Sequence, residues 1–272
     1  KIIFTEQQWL DAFHFAKKKH LKILALPLTV VSLKFLIRHQ KLVDSFEIHS
    51  VNFQEVPLIE ILANTKKTNI LLGIGGRYLQ EVKFLKNKLK KHHLVPMFGF
   101  QSFPTDEKKL NLGKLKTLKK QLDLSLGYAD HTAYDSNNFI TLSKYAYLLG
   151  ARYFELHIVN KKGEKRIDYN SGHTKSDFLK LRKEMNLLIE ILGDVNFDKL
   201  NDAEQLYRQR EKSIIAKTDI KPGTKINLNQ VEFRIKPKHQ KDILSDISEI
   251  LGKKIRAGKS KHDFFYAEDF DE

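Results

Sequence analysis

The sequence predicts an α/β fold, a parallel sheet covered by helices, followed by a small β-rich module. Three observations carry that prediction. Short apolar runs alternate with amphipathic helical patterns six times, at a fairly even spacing. Composition turns polar after Gly193, then gives way to short strands punctuated by turn residues. The one glycine cluster, Gly73-Ile-Gly-Gly76, follows the third strand and lacks the spacing of a dinucleotide-binding turn. A six-unit sheet of this kind fits either a doubly wound fold or part of a barrel.

The elements follow in order. Thr5-Glu-Gln-Gln8 has the form of a capping box, so a helix should run to about Lys19. Residues 20–26 read as a strand stopped by Pro27, and residues 30–37 as a short helix. Strands are expected over 45–50, 69–72, 94–100, 122–126 and 153–158. Helices are expected over 56–63, from Gly76 to Lys91, and within 110–121, 137–149 and 176–192, the last closed by Gly193. Residues 1–195 then form the partial barrel or sheet domain and 196–211 a polar linker with a short helix. Residues 212–272 form the small module, with strands at 213–216 and 231–237 and a short helix at 243–251.

The chain has 272 residues, of which 41% are hydrophobic, so a sizeable core is expected. No apolar run approaches the ~20 residues that span a bilayer, and no signal peptide is recognisable. The first residue is not Met, so an N-terminal segment is expected to be missing or trimmed. Cysteine is absent, which excludes disulfides, thiolate metal sites and a Cys nucleophile, and fits a cytoplasmic location. The formal charge of +15 reads as a Lys-rich surface on amphipathic helices rather than a nucleic-acid footprint, since no RNA-binding aromatic motif or zinc-finger spacing accompanies it.

Two histidines stand out. His131 lies in Leu126-Gly-Tyr-Ala-Asp-His-Thr132, after the apolar run 122–126. His157 lies in Ala151-Arg-Tyr-Phe-Glu-Leu-His-Ile-Val159. Placed at matching ends of consecutive parallel strands, two imidazoles can share one divalent ion and leave positions open for water and substrate. Asp130 and Glu155 adjoin them as orienting acceptors or substrate ligands. His49 is either a site residue or a packing residue, according to which way it points. His14, His20, His39, His92, His93, His239 and His262 read as surface. Arg77, at an expected helix N-terminus, is a candidate anion ligand. No nucleophile elbow is present.

These motifs resemble the N-acetylneuraminate synthase family, which includes the legionaminate and pseudaminate synthases. Gly127-Tyr-Ala-Asp-His-Thr132 resembles that family's G-Y-S-D-H-T, and Phe154-Glu-Leu-His-Ile158 its I-E-K-H-F. Glu47-Ile-His-Ser50, Ile70-Leu-Leu-Gly-Ile-Gly75 and Phe103-Pro-Thr105 fall where it has K-I-x-S, I-L-S-T-G and Y-P-T. The stretch from Arg210 to Gly223 and Leu251-Gly-Lys-Lys254 resemble its C-terminal SAF (antifreeze-like) module.

The resemblance implies a TIM-barrel-like domain with a small C-terminal domain, arranged as a domain-swapped homodimer. It implies condensation of phosphoenolpyruvate with an N-acyl mannosamine-type sugar, with Mn²⁺ or Mg²⁺ as cofactor and release of phosphate. By the same resemblance His131 and His157 are the metal ligands, and Asp168 and Glu155 carry catalysis. Ser50, Gly75, Gln101, Asp130 and Lys236 face substrate, with Arg77 added from its position. The sequence departs from the pattern in places. Only six βα units are visible where a barrel has eight, and the units missing are the family's first two. Glu47 stands where the family has a phosphate-binding Lys, a charge reversal that costs at least ~1 kcal/mol per pair. Gly73 and Ala129 replace Ser, Phe98-Gly99 replaces His-Cys, Phe103 replaces Tyr, and Lys236 replaces Arg. The alternative reading is therefore a non-catalytic homologue, a scaffold or partner subunit in surface-polysaccharide biosynthesis.

Overall fold

In the computed structural model, which describes residues 4–100, 102–236 and 242–270, the alternation resolves into one sheet whose strands lie in chain order. The strands are β1 (Leu24–Ala25), β2 (Ser45–Ile48), β3 (Asn69–Gly73), β4 (His93–Phe98), β5 (Leu126–Asp130), β6 (Ala151–Ile158) and β7 (Gly172–His173). Each pairs parallel with the next. The helices between them are α2 (Val30–Arg38), α3 (Val56–Asn64), α4 (Leu79–Lys88), α5 (Lys114–Leu122) and α6 (Phe139–Leu148). Helix α1 (Glu6–Lys18) precedes the sheet and α7 (Lys175–Leu192) follows it. An all-parallel sheet with helical crossovers is half of a TIM-barrel-like α/β arrangement.

Side-chain alternation sorts the sheet's two faces. Phe46, Ile48, Ile70, Leu72, Leu94, Leu126 and Tyr128 join the main core with Leu33, Leu58, Leu62, Leu85 and Leu115 of the helices. Residues of the other parity, Leu71, Val95, Met97 and Ala129, form a separate small cluster on the inner face. Glu47 and Glu155 share that parity, so the inner face carries acids that line the cavity.

Both capping calculations at α1 hold: the Thr5 side chain accepts from the Gln8 amide, and Gln8 reaches back to the Thr5 amide. The structure corrects the fifth strand. Residues 122–126 are not a strand; Leu122 ends α5, Asp123 turns the chain at φ 48°, and the strand is Leu126–Asp130. Leu122 and Leu126 are both fully buried, so the apolar run straddles a helix end and a strand start. A seventh strand, β7, lies in the polar loop after β6, where no periodicity marks it.

The chain divides into two compact units, Lys1–Ile191 and Leu192–Glu272. The second contains α8 (Asp202–Arg208) and the antiparallel pair β8 (Lys212–Ala216) and β9 (Val231–Ile235). Its core is Ile214, Ala216, Ile220, Ile226, Val231, Ile250, Ile255, Phe265 and Phe270. The helix expected over 243–251 is only a 3₁₀ turn at Ile247–Glu249, opened by the Asp246 side chain accepting from the Ser248 amide. Pro237 lies outside the described residues.

Candidate functional site

The C-terminal ends of the strands surround a cavity of about 430 Å³ lined by residues from the segment after β1 through the loop after β6. Each strand delivers its residue by parity. On β6, Glu155 and His157 are two apart and point to the same side. On β5, Ala129 pairs with Glu155, which brings His131, one residue past the strand end, beside His157.

The imidazole Nε2 atoms of His131 and His157 stand 3.0 Å apart. Glu155 Oε1 is 3.9 Å from His131 Nε2. One ligand atom from each of the three lies within 4.8 Å of the others. Nitrogens 3.0 Å apart have the spacing of adjacent ligands on one ion, with bonds of about 2.1 Å at right angles. Burial holds His131 down to about 4, against the opposing pull of the Ala129 carbonyl, so the ring is neutral near pH 7, as a metal ligand must be. The donor set N, N, O therefore fits a divalent cation. Asp168 adds a carboxylate 3.7 Å from His157 Nδ1, half-exposed and on a left-handed backbone at φ 58°.

Hydrogen bonds fix this corner from behind. The Thr105 amide at 2.6 Å and the Ser171 hydroxyl at 2.9 Å both donate to the His131 carbonyl. Asp130 points away from the cavity. Its carboxylate accepts from the Tyr128 hydroxyl at 2.9 Å and the Thr132 hydroxyl at 3.0 Å, and pairs with His173 Nε2 at 3.2 Å. That corrects the expectation that Asp130 faces substrate: it holds β5 to β7. The Asp130 charge and burial push the Tyr128 hydroxyl far up, burial contributing most. Phe100 and Phe103 set ring edges against His131 at 4.4 and 6.2 Å between centroids. A Cβ on Gly75 would sit 1.9 Å from the Phe100 carbonyl oxygen, so glycine there is what lets Phe100 approach.

Across the cavity floor, Glu47 is 8% exposed. Burial first, and then the charge of Glu155, push its carboxyl up to about 8. Burial also raises Glu155. His49 resolves to the cavity side, its Nδ1 accepting from the Val51 amide at 3.2 Å, and burial lowers it.

Of the other expected site residues, Ser50 and Gly75 line the cavity. Arg77 does not: it pairs with Glu81 at 3.2 Å and lies over the Phe53 ring at 5.4 Å. Gln101 lies outside the described residues. Lys236 belongs to the second unit, beside Phe233, Asp246 and Glu249 on a surface depression. His92, expected on the surface, is buried, accepting from the Thr68 amide at 3.3 Å. His173 escaped sequence reasoning altogether, since a two-residue strand leaves no periodic signal; the Asp at the end of β5 is the one hint that a buried partner is required.

Known proteins resemble this chain in sequence and in fold. The model of the NeuB family matches residues 1–197. An uncharacterized protein of Methanocaldococcus jannaschii is 26% identical over 97% of this chain and 77% of its own length. The N,N'-diacetyllegionaminic acid synthase of Campylobacter jejuni is 26% identical over 76% of this chain, which spans 61% of that protein. Among solved structures, a spore coat polysaccharide biosynthesis protein E of Chromobacterium violaceum shares the fold at a TM-score of 0.86, covering 99% of this chain and 80% of that one at 18% identity.

Proposed function

The chain belongs to the NeuB family, and from that premise we propose that it is a nonulosonic acid synthase-like enzyme. It joins phosphoenolpyruvate to an N-acyl mannosamine-type sugar. The observation that carries the reading is the cluster of His131, His157 and Glu155 at the C-terminal ends of consecutive parallel strands, where barrel chemistry is placed. The Campylobacter relative's name points the same way.

In the proposed reaction a bond forms between phosphoenolpyruvate C3 and the open-chain sugar's aldehyde carbon, water adds at C2, and phosphate leaves. His131, His157 and Glu155 would hold Mn²⁺ or Mg²⁺, which would supply Lewis acidity toward the sugar's carbonyl. The chain's own groups do the rest. Burial keeps His131 neutral and free of a competing proton. Asp168, beside His157 Nδ1, orients that ring and can accept a proton from substrate or water. Ser50 and Gly75 shape the sugar-facing wall, and Phe100 and Phe103 keep water from the histidines. Lys236 is proposed to meet an anionic group, and the unit Leu192–Glu272 to be an SAF-like module exchanged in a homodimer. Among the described residues no helix is long and apolar enough to cross a membrane.

A second reading rests on Glu47. With no Lys or Arg among the residues lining the cavity and a buried acid on its floor, the chain would serve as a non-catalytic partner subunit in surface-polysaccharide biosynthesis. Phosphate release separates the two. Full-length protein with Mn²⁺, phosphoenolpyruvate and N-acetylmannosamine or a related sugar should liberate phosphate, and His157→Ala should abolish it. Absence of release with every sugar tried leaves the subunit reading.

A further inference from the structure

We propose that Glu47 and Glu155 hold a second divalent cation in the cavity, beside the one assigned to His131 and His157. The motive is an unmet need. Glu47 lies in the middle of β2, 8% exposed, and lines the cavity. It makes no hydrogen bond or ion pair with any described residue. Its neighbour in charge is Glu155, which lines the same cavity with its side chain 31% exposed. Two carboxylates facing one cavity repel each other, and among the described lining residues only the histidines could offset them.

Beside Glu47, a Cβ on Gly73 would make ordinary contact with Glu47 Oε1 at 3.6 Å and press on the Ser50 amide nitrogen at 3.3 Å. Among the described residues no Lys or Arg lines the cavity, although the chain carries +15 overall. A hard divalent ion takes carboxylate oxygens, and Glu155, placed next to His131, can serve both positions. The ion also reverses the sign of this wall. Resting on the condensation reading, it gives the phosphate of phosphoenolpyruvate a positive partner that the side chains do not provide. Two metal ions clamping a phosphoryl substrate are an established arrangement in other folds.

The test counts Mn²⁺ by electron paramagnetic resonance of the free ion, on the full-length chain, with and without inorganic phosphate. The wild-type chain should bind two equivalents, the weaker one strengthened by phosphate. Glu47→Gln should lose the weaker equivalent, by at least about tenfold in affinity, and keep the tighter. Glu47→Asp, which retains a carboxylate, should keep both. Glu47→Lys should bind one equivalent and hold phosphate without needing excess Mn²⁺. Thermal melts by circular dichroism check that each variant is folded. A single equivalent in the wild-type chain, or two retained by Glu47→Gln, overturns the second site. A wild-type chain with one equivalent that still releases phosphate from phosphoenolpyruvate and sugar loses only this inference. One with two equivalents and no release loses only the condensation reading.

Discussion

The two sides of the cavity are built on opposite terms. On the β5–β7 side the polar groups behind His131 largely pair with one another: Asp130 serves Tyr128, Thr132 and His173, and the His131 carbonyl receives two donors, with His173 Nδ1 the one atom of this network left without a partner among the described residues. On the β2–β3 side Glu47, 8% exposed where Asp130's neighbours are fully buried, has no hydrogen-bond or ion-pair partner among the described residues. A satisfied network fixes geometry, whereas an unsatisfied carboxylate stores a cost that a ligand or a proton must relieve. The first side reads as a rigid mount for the histidine pair, the second as a receptor. Both carry acids in burial, so burial alone does not distinguish them; the partners do.

The largest effect that tests this contrast falls on the rigid side. Asp130→Ala should lower stability by about 3–5 kcal/mol, because it strands the fully buried His173 and two hydroxyls without an acceptor. Urea unfolding should show it, and β7 should become exchangeable with solvent in the folded protein. A change below about 1 kcal/mol would mean the network is ornamental to the fold, in the range of an exposed pair.

Much of this was legible in sequence, for physical reasons that can be named. The helix starts were, because capping residues declare themselves locally, as at Thr5. His131 and His157 were, because strand-end histidines two elements apart in sequence become neighbours in a parallel sheet. The position of β5 was not, because Leu122 and Leu126 are equally apolar and only the left-handed turn at Asp123 separates helix from strand. Nor was the direction of Asp130: which of the two alternating faces of β5 meets the cavity shows only once Ala129 pairs with Glu155. Glu47 was visible as an acid, but its isolation appears only once the lining of the cavity is known.

The receptor side gives a prediction of intermediate size. In the metal-free protein Glu47→Gln should be more stable relative to wild type at pH 8 than at pH 5. The sign follows from the raised carboxyl. Folded Glu47 holds its proton up to about 8, against an ordinary value of 4.5. Between those values the folded state binds more protons than the unfolded, so wild-type stability falls as pH rises through that window. Gln has no proton to lose and escapes the fall. The difference should amount to a few kcal/mol at most, read from urea midpoints in chelator at the two pH values. A pH-independent difference would mean that Glu47 is solvated or partnered in solution, and the contrast between the two sides would dissolve.

The smallest expected effect concerns the rim, where the two sides meet solvent. Asp168 stands 3.7 Å from His157 Nδ1, with its side chain 51% exposed, so it is beyond hydrogen-bond length and well hydrated. Its backbone is left-handed at φ 58°, a conformation that Asn adopts as readily as Asp. Asp168→Asn therefore removes the charge without straining the loop. As an orienting neighbour, Asp168 is worth the ~0.2–1 kcal/mol of an exposed pair, and the variant should weaken Mn²⁺ binding by no more than about fivefold. His157→Ala, by contrast, should remove binding to the tighter site. Isothermal titration of both variants ranks them. Should Asp168→Asn match the loss in His157→Ala, the carboxylate must swing in to become a ligand itself, and the rigid mount extends from β5 and β6 into the loop that follows.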